Sequence, residues 1–200
     1  MPLHLEVALL SGKRARLDAE PEWSLDHLRK RARNLLGSGP GKLLSPAGAI
    51  LRGTDSLAAA GLQEADVLTF QKGPVQIAAT SKAFAALYGD GSVVTWGHKH
   101  FGGDSSGVAQ QLQDVQQIQA AQEAFAALCC DGSVVTWGGQ GGGDSAAVKS
   151  QLKDVTSIQA AGHAFAALRR DGSVVSWGAP KHGGDCSAVQ GRLSDVQQIQ

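Results

Sequence analysis

The sequence predicts a small α+β head followed by all-β repeats, and three observations carry that prediction. Trp96, Trp137 and Trp177 stand 41 and 40 residues apart, and Ile77, Ile118, Ile158 and Ile199 keep the same step; a fixed period of this size marks a repeat array. Each copy holds a run Ala-Phe-Ala-Ala-Leu, two variable residues, Asp-Gly-Ser, then Val-Val-Thr/Ser-Trp-Gly. Residues 1–72 lie outside that period and read strand, strand, helix, strand, short strand, strand.

In the head, Leu3, Leu5, Val7 and Leu9 alternate with His4, Glu6 and Ala8, the period of a half-buried strand. Ser11-Gly12 supplies a turn, and Ala15, Leu17 and Ala19 continue a second strand. Ser24 then precedes Leu25, Leu28, Ala32 and Leu35, which share one helical face, and Gly37 stops the run. The other helical face is basic, with Arg29, Lys30, Arg31 and Arg33. After the loop Gly37–Lys42 come Leu43-Leu44, a turn at Pro46–Gly48, Ile50-Leu51, a Leu57/Leu62 segment and a closing strand Val67–Gln71. With these landmarks residues 1–72 resemble a ubiquitin-like β-grasp domain. Lys72-Gly73-Pro74 runs on into the repeats instead of ending in a free Gly-Gly, so the resemblance implies a head that is not a conjugated modifier. Ubiquitin's apolar recognition patch maps to Leu10, Ser45 and Gln71, with one apolar residue in three, which implies weak binding to ordinary ubiquitin receptors.

In the repeats, Asp-Gly between two apolar runs predicts a β-hairpin, because the turn takes a residue that tolerates positive φ. A third strand precedes each hairpin, at Val75–Ala79, Val115–Ala120 and Val155–Ala160. Three strands per 40-residue copy suit the blade of a β-propeller, with tryptophan filling the space between blades. Asp104, Asp144 and Asp185 are placed to N-cap one or two helical turns in the connectors. There Val108/Leu112, Val148/Leu152 and Val189/Leu193 form i,i+4 pairs. The pattern at 155–178 resembles repeats of the regulator of chromosome condensation (RCC1) family, and the short period is closer to the three-stranded blades of β-lactamase-inhibitor protein II. Residues 74–200 then comprise three blades and, at Asp195–Gln200, the first strand of a fourth. Such an open array leaves an apolar blade face and edge for self-association.

The whole chain carries 18 Lys plus Arg against 18 Asp plus Glu, so no overall field recommends nucleic acid or membrane. Three cysteines make no disulfide framework and fit a reducing compartment, cytosolic or nuclear. Catalytic and ligand-binding patterns fail one after another. Gly37–Lys42 lacks the glycine five residues before Gly41, where Leu36 stands, and the Ser or Thr after Lys42, where Leu43 stands, so it is no phosphate-binding loop. Gly138–Asp144 has its carboxylate one place too late for a calcium-binding glycine repeat. His98, His100 and Asp104, echoed by His182 and Asp185, have no counterpart in the middle copy, and no metal is expected. Ser105, Ser145 and Ser187 have no histidine at constant spacing. Cys129-Cys130 fills the doublet that is Tyr88-Gly89 and Arg169-Arg170 elsewhere, a tolerant surface position.

Comparison of the copies separates scaffold from variable positions. Before Ala-Phe-Ala-Ala-Leu stand Lys82, Glu123 and His163. After Trp-Gly stand His98-Lys99-His100-Phe101, Gly139-Gln140-Gly141 and Ala179-Pro180-Lys181-His182. Loops on a rigid scaffold are where binding concentrates. These, with Leu10, Ser45, Gln71, Arg29, Lys30 and Arg33 on the head, are the candidate contact residues. The expectation is a non-enzymatic, cofactor-free protein-interaction module, an adaptor or recognition part in the ubiquitin system. Two alternatives stay open: a recognition part of a larger ubiquitin ligase with its catalytic domain beyond residue 200, and a GTPase-regulating propeller.

Overall fold

The computed structural model describes residues 2–38, 41–139 and 142–200. Contacts divide it into two units, Met1–Pro74 with Tyr88–Asp90, and Val75–Leu87 with Gly91–Gln200. The first holds β1 (Leu3–Leu9), β2 (Arg14–Ala19), α1 (Leu25–Leu36), β3 (Gly41–Leu44), β4 (Ile50–Leu51) and β5 (Val67–Lys72). The sheet order is β2-β1-β5-β3-β4, with β1 and β5 parallel at its centre. This is the β-grasp.

The helix starts where Ser24 Oγ accepts the His27 N–H at 3.2 Å and stops at Gly37, which turns left-handed with φ 56°. Lys13 Nζ donates to the Leu36 carbonyl at 2.7 Å, a cation at the negative end of the helix. Leu25, Leu28, Ala32 and Leu36 are buried on Leu5, Val7, Leu17, Leu43, Leu68 and Phe70, with Leu57 and Leu62 closing the core. Leu35, expected on that face, is 48% exposed, because the 3.6-residue repeat carries the stripe from Ala32 to Leu36 instead.

The second unit is three antiparallel sheets, one per copy: β6 (Gln76–Ala79), β7 (Ala83–Leu87) and β8 (Val93–Gly97); β9 (Val115–Ala120), β10 (Ala124–Cys129) and β11 (Val134–Gly138); β12 (Val155–Ala160), β13 (Ala164–Arg169) and β14 (Val174–Gly178). In the second hairpin the Gly132 N–H donates to the Cys129 carbonyl at 3.0 Å. Asp131 Oδ1 accepts from both the Ser133 N–H, at 2.9 Å, and the Ser133 hydroxyl, at 2.6 Å. Asp171 and Ser173 repeat this at 3.0 and 2.6 Å. Asp-Gly-Ser is thus a self-contained turn: glycine takes the positive φ, and aspartate closes on serine.

The connectors hold the short helical turns that the sequence predicts, but the aspartates do not cap them. They contain short 3-10 helices at Ser106–Val108, Ala146–Val148 and Ser187–Arg192, whose N-cap residues are Ser105, Ser145 and Cys186. The aspartates stand one residue earlier, and Asp104, Asp144 and Asp185 each accept the N–H two residues on, at 2.8–2.9 Å. Asx-turn geometry wins because aspartate reaches its own neighbour's N–H most easily. Asp195–Gln200, with the sequence of a first strand, forms none. The Val196 N–H bonds to the Gly172 carbonyl at 3.0 Å, but no hairpin pairs with the segment.

Packing between copies is directional. Phe125, Ala127, Cys129, Val135 and Trp137 of the second sheet bury against Ala83, Ala85 and Leu87 of the first. Ile158, Phe165, Ala167, Val175 and Trp177 of the third bury against Ala124, Ala126 and Leu128 of the second. The second and third blades thus present an aromatic face to the blade before, and the first and second an alanine-leucine face to the blade after.

Candidate functional site

The variable residues assemble at one end of the blades. The Lys82 carbonyl accepts the His98 N–H at 2.9 Å, the Glu123 carbonyl accepts the Gly139 N–H at 2.7 Å, and the His163 carbonyl accepts the Ala179 N–H at 2.8 Å. Each variable slot therefore lies beside the variable loop of its own blade. Across blades, the Ser81 N–H and hydroxyl both donate to the Gln122 carbonyl, at 3.0 and 2.8 Å, and the Gln122 N–H donates to the Gly162 carbonyl at 2.8 Å. The three slots form one row.

The row is aromatic and cationic. Lys82 Nζ lies 4.7 Å from the Phe101 ring centroid, within cation–π range. The His98 ring meets Phe101 edge-on at 5.1 Å and His100 at 5.7 Å, and His163 faces His182 at 4.9 Å. Lys82, Lys99, His98, His100, Lys181 and His182 are exposed. Glu123, half-buried, is the one acid among the named slot residues. Gln140 and Gly141 lie outside the described residues. Among the described residues no three His, Cys, Asp or Glu side chains converge to hold a metal.

At the opposite end the doublet Cys129-Cys130 splits. Cys130 is exposed, whereas Cys129 is buried in the interface with the first blade, where burial pushes its thiol up from the ordinary value. Reading both as surface positions missed this, because Cys129 continues the Phe125, Ala127 alternation toward the preceding blade. In the head loop, Gly39 and Pro40 lie outside the described residues. Gly41 has a packing role: a Cβ there would stand 2.5 Å from the Gln71 carbonyl oxygen.

The head sheet turns one face to solvent. Leu43 pairs with Phe70 and Leu51, all buried, so Leu44, opposite Thr69 and Ile50, points outward. Ser45 instead belongs to the following turn, its hydroxyl accepting the Ala49 N–H at 3.1 Å. Ile50, Leu44, Thr69 and Ala8 run across four strands, Gln71 pairs with Lys42 in the next row, and Leu10, 78% exposed, lies in the turn after β1. Register, not a one-position sequence match, selects Leu44. On the helix, Lys30 is exposed and Arg33 half-buried, while Arg29 pairs with Asp26 at 3.2 Å.

Two further groups escaped the sequence reading. Trp137 Nε1 donates to the Gly102 carbonyl at 3.0 Å, and Trp177 Nε1 donates to the Gly142 carbonyl at 3.1 Å. Gly102 and Gly142 have positive φ, and a Cβ on either would lie 2.5 Å from Phe125 or Phe165. Gln117 clasps the next blade's first strand through both amide atoms, Nε2 to the Ile158 carbonyl at 2.9 Å and Oε1 from the Ile158 N–H at 3.2 Å. Glutamine recurring among apolar strand residues was the available signal.

A five-stranded β-grasp sheet precedes three three-stranded antiparallel sheets. No family model and no curated protein matches the chain. Among solved structures, the ubiquitin of Caldiarchaeum subterraneum aligns over 38% of this chain and 98% of its own, at 16% identity and a TM-score of 0.35. Human WBSCR16 aligns over 68% of this chain and 43% of its own, at 22% identity and a TM-score of 0.42. Prp20p of Saccharomyces cerevisiae aligns over 69% and 38%, at 20% identity and a TM-score of 0.39. The chain thus spans less than half the length of these two propeller proteins. The architecture rests on strand order and repeat register. Among the described residues no helix is long and apolar enough to cross a membrane.

Proposed function

We propose that the chain is a non-enzymatic protein-binding module in which residues 1–72 and 74–200 act as two binding domains, an adaptor of the ubiquitin system. The blade rim takes an acidic segment of a partner protein. The observation that carries this reading is the row in which Lys82, Lys99, Lys181 and four imidazoles outnumber the carboxylates of Glu123 and, beside Lys99, Asp104, aligned by the Ser81, Gln122 and Gly162 bonds. Cations gathered on one rim of a chain with no net charge form a local field that attracts acid and strengthens at low salt. The outward pair Ile50 and Leu44, with exposed Leu10 in the turn after β1, supports the second contact, a partner that buries apolar side chains.

Fluorescence anisotropy with a labelled polyglutamate peptide tests the rim. Binding that weakens with salt is expected, lost in the chain carrying Lys82→Glu, Lys99→Glu and Lys181→Glu and kept in the chain carrying Lys30→Glu and Arg33→Glu. Equal loss in both would place the attraction elsewhere.

A further inference from the structure

The two inter-blade contacts share one design, and the chain carries both halves of a third that is not made. In the second and third blades the Phe125/Trp137 and Phe165/Trp177 stacks, centroids 5.2 and 5.3 Å apart, sit under Gly102 and Gly142 of the preceding blade. The first blade has the same stack, Phe84 on Trp96 at 5.4 Å. There Phe84, Val94, Trp96 and Ile77 are 44, 49, 45 and 65% exposed, whereas Phe125, Val135 and Trp137 are 0, 6 and 4%. After the third blade Gly183 repeats the other half. Its φ of 93° matches the 90° of Gly102, and it is followed by Gly184-Asp185 as Gly102 is by Gly103-Asp104. Nothing lies within 4 Å of a Cβ built on it.

We infer that the aromatic face of the first blade, Phe84 and Trp96, docks on the Gly183 turn of a second copy of this chain, head to tail, in the geometry that joins the blades within each copy. This rests on the reading of the blades as protein-binding and names one of the proteins they bind. The occupant follows from continuity with an interface already made twice: the face is shaped for a glycine turn that admits an aromatic ring and offers a carbonyl to the indole N–H. Asp195–Gln200, held to the third blade by the Val196 N–H bond and paired with no strand, is the segment that gives way. Because the two halves differ, the contact is heterologous and propagates as a ring or an open chain of copies.

The test is the mass of the 200-residue chain by light scattering and sedimentation, from low micromolar to about 1 mM, the weak end of specific affinity. Wild type is expected to rise in steps above 20.6 kDa. Phe84→Glu with Trp96→Glu removes one half, and Gly183→Asn, which tolerates left-handed backbone, blocks the other. Each variant alone should stay at the monomer mass. An equimolar mixture should form a dimer and nothing larger, since each retains the half that the other lost. Circular dichroism of each variant checks that it is folded. Monomeric wild type at all concentrations overturns the inference and leaves the face to a different protein or a further blade. So does association that survives in either single-half variant, or a folded mixture that stays monomeric. The rim charge reversals leave Phe84, Trp96 and Gly183 untouched, so failure of the polyglutamate assay and failure of self-docking are separable.

Discussion

Replacing Gly102 by alanine should weaken the repeats far more than the same change at Gly183. Both positions are left-handed, with φ of 90° and 93°, so alanine costs about 1–2 kcal/mol at each from the backbone alone. At Gly102 the new methyl would also stand 2.5 Å from Phe125 Cδ2 and 2.8 Å from Cε2. Phe125 is fully buried, and Trp137, stacked on it, is held by its bond to the Gly102 carbonyl, so the ring has little room to retreat. Overpacking of that kind adds about 1–3 kcal/mol, for a total of about 2–5 kcal/mol against about 1–2 kcal/mol at Gly183, where the space is open. Urea unfolding followed by tryptophan fluorescence, at concentrations where the chain is monomeric, measures both midpoints. Equal losses at the two glycines would refute the view that the Gly-Gly turn is a receptor for the next blade's ring.

Two further outcomes follow from the same geometry. Trp137→Phe keeps an aromatic ring but strands the buried Gly102 carbonyl, and should cost about 1–3 kcal/mol by urea titration; a change near zero would mean that water replaces the indole. The Ser133 hydroxyl and N–H hold the Asp131 carboxyl below its ordinary 3.8, and Ser173 does the same for Asp171. A depressed carboxylate stabilises the fold above its unfolded value, and the contribution disappears as pH falls through the lower folded value. Stability of the repeats should therefore drop as pH falls below 3.8, with a shallower drop in the Asp131→Asn, Asp171→Asn chain, measured by urea midpoints down to about pH 2. An unchanged slope would exclude these turns as the source.

Features set by neighbours in sequence were legible before any coordinates. Asp131-Gly132-Ser133 folds on itself, Ser24 and Gly37 bracket their helix, and the alternation of Ala-Phe-Ala-Ala-Leu assigns each side chain to a face. Features set by distant pairing were not. Gly102 meets its tryptophan 35 residues later, so its place in a polar connector suggested only a turn. Ser45 was placed on the outer sheet face, whereas the pairing of Leu43 with Phe70 puts Leu44 there and leaves Ser45 in the turn after β3, a one-residue offset that is invisible without the register. The fourth-blade strand had the right sequence, yet a strand exists only where another supplies its hydrogen bonds. At the rim, the sequence showed which residues vary, but the Ser81, Gln122 and Gly162 bonds that set them in a row come from serine, glutamine and glycine, three unlike residues with no shared pattern.

The bonds that anchor the rim loops use the main-chain carbonyls of Lys82, Glu123 and His163. A carbonyl belongs to every amino acid, so the anchor is indifferent to the side chain it carries. The blade can exchange lysine for glutamate or histidine at that slot without loosening the loop beside it. Architecture and recognition are therefore written in separate alphabets, and the rim can be rewritten one blade at a time.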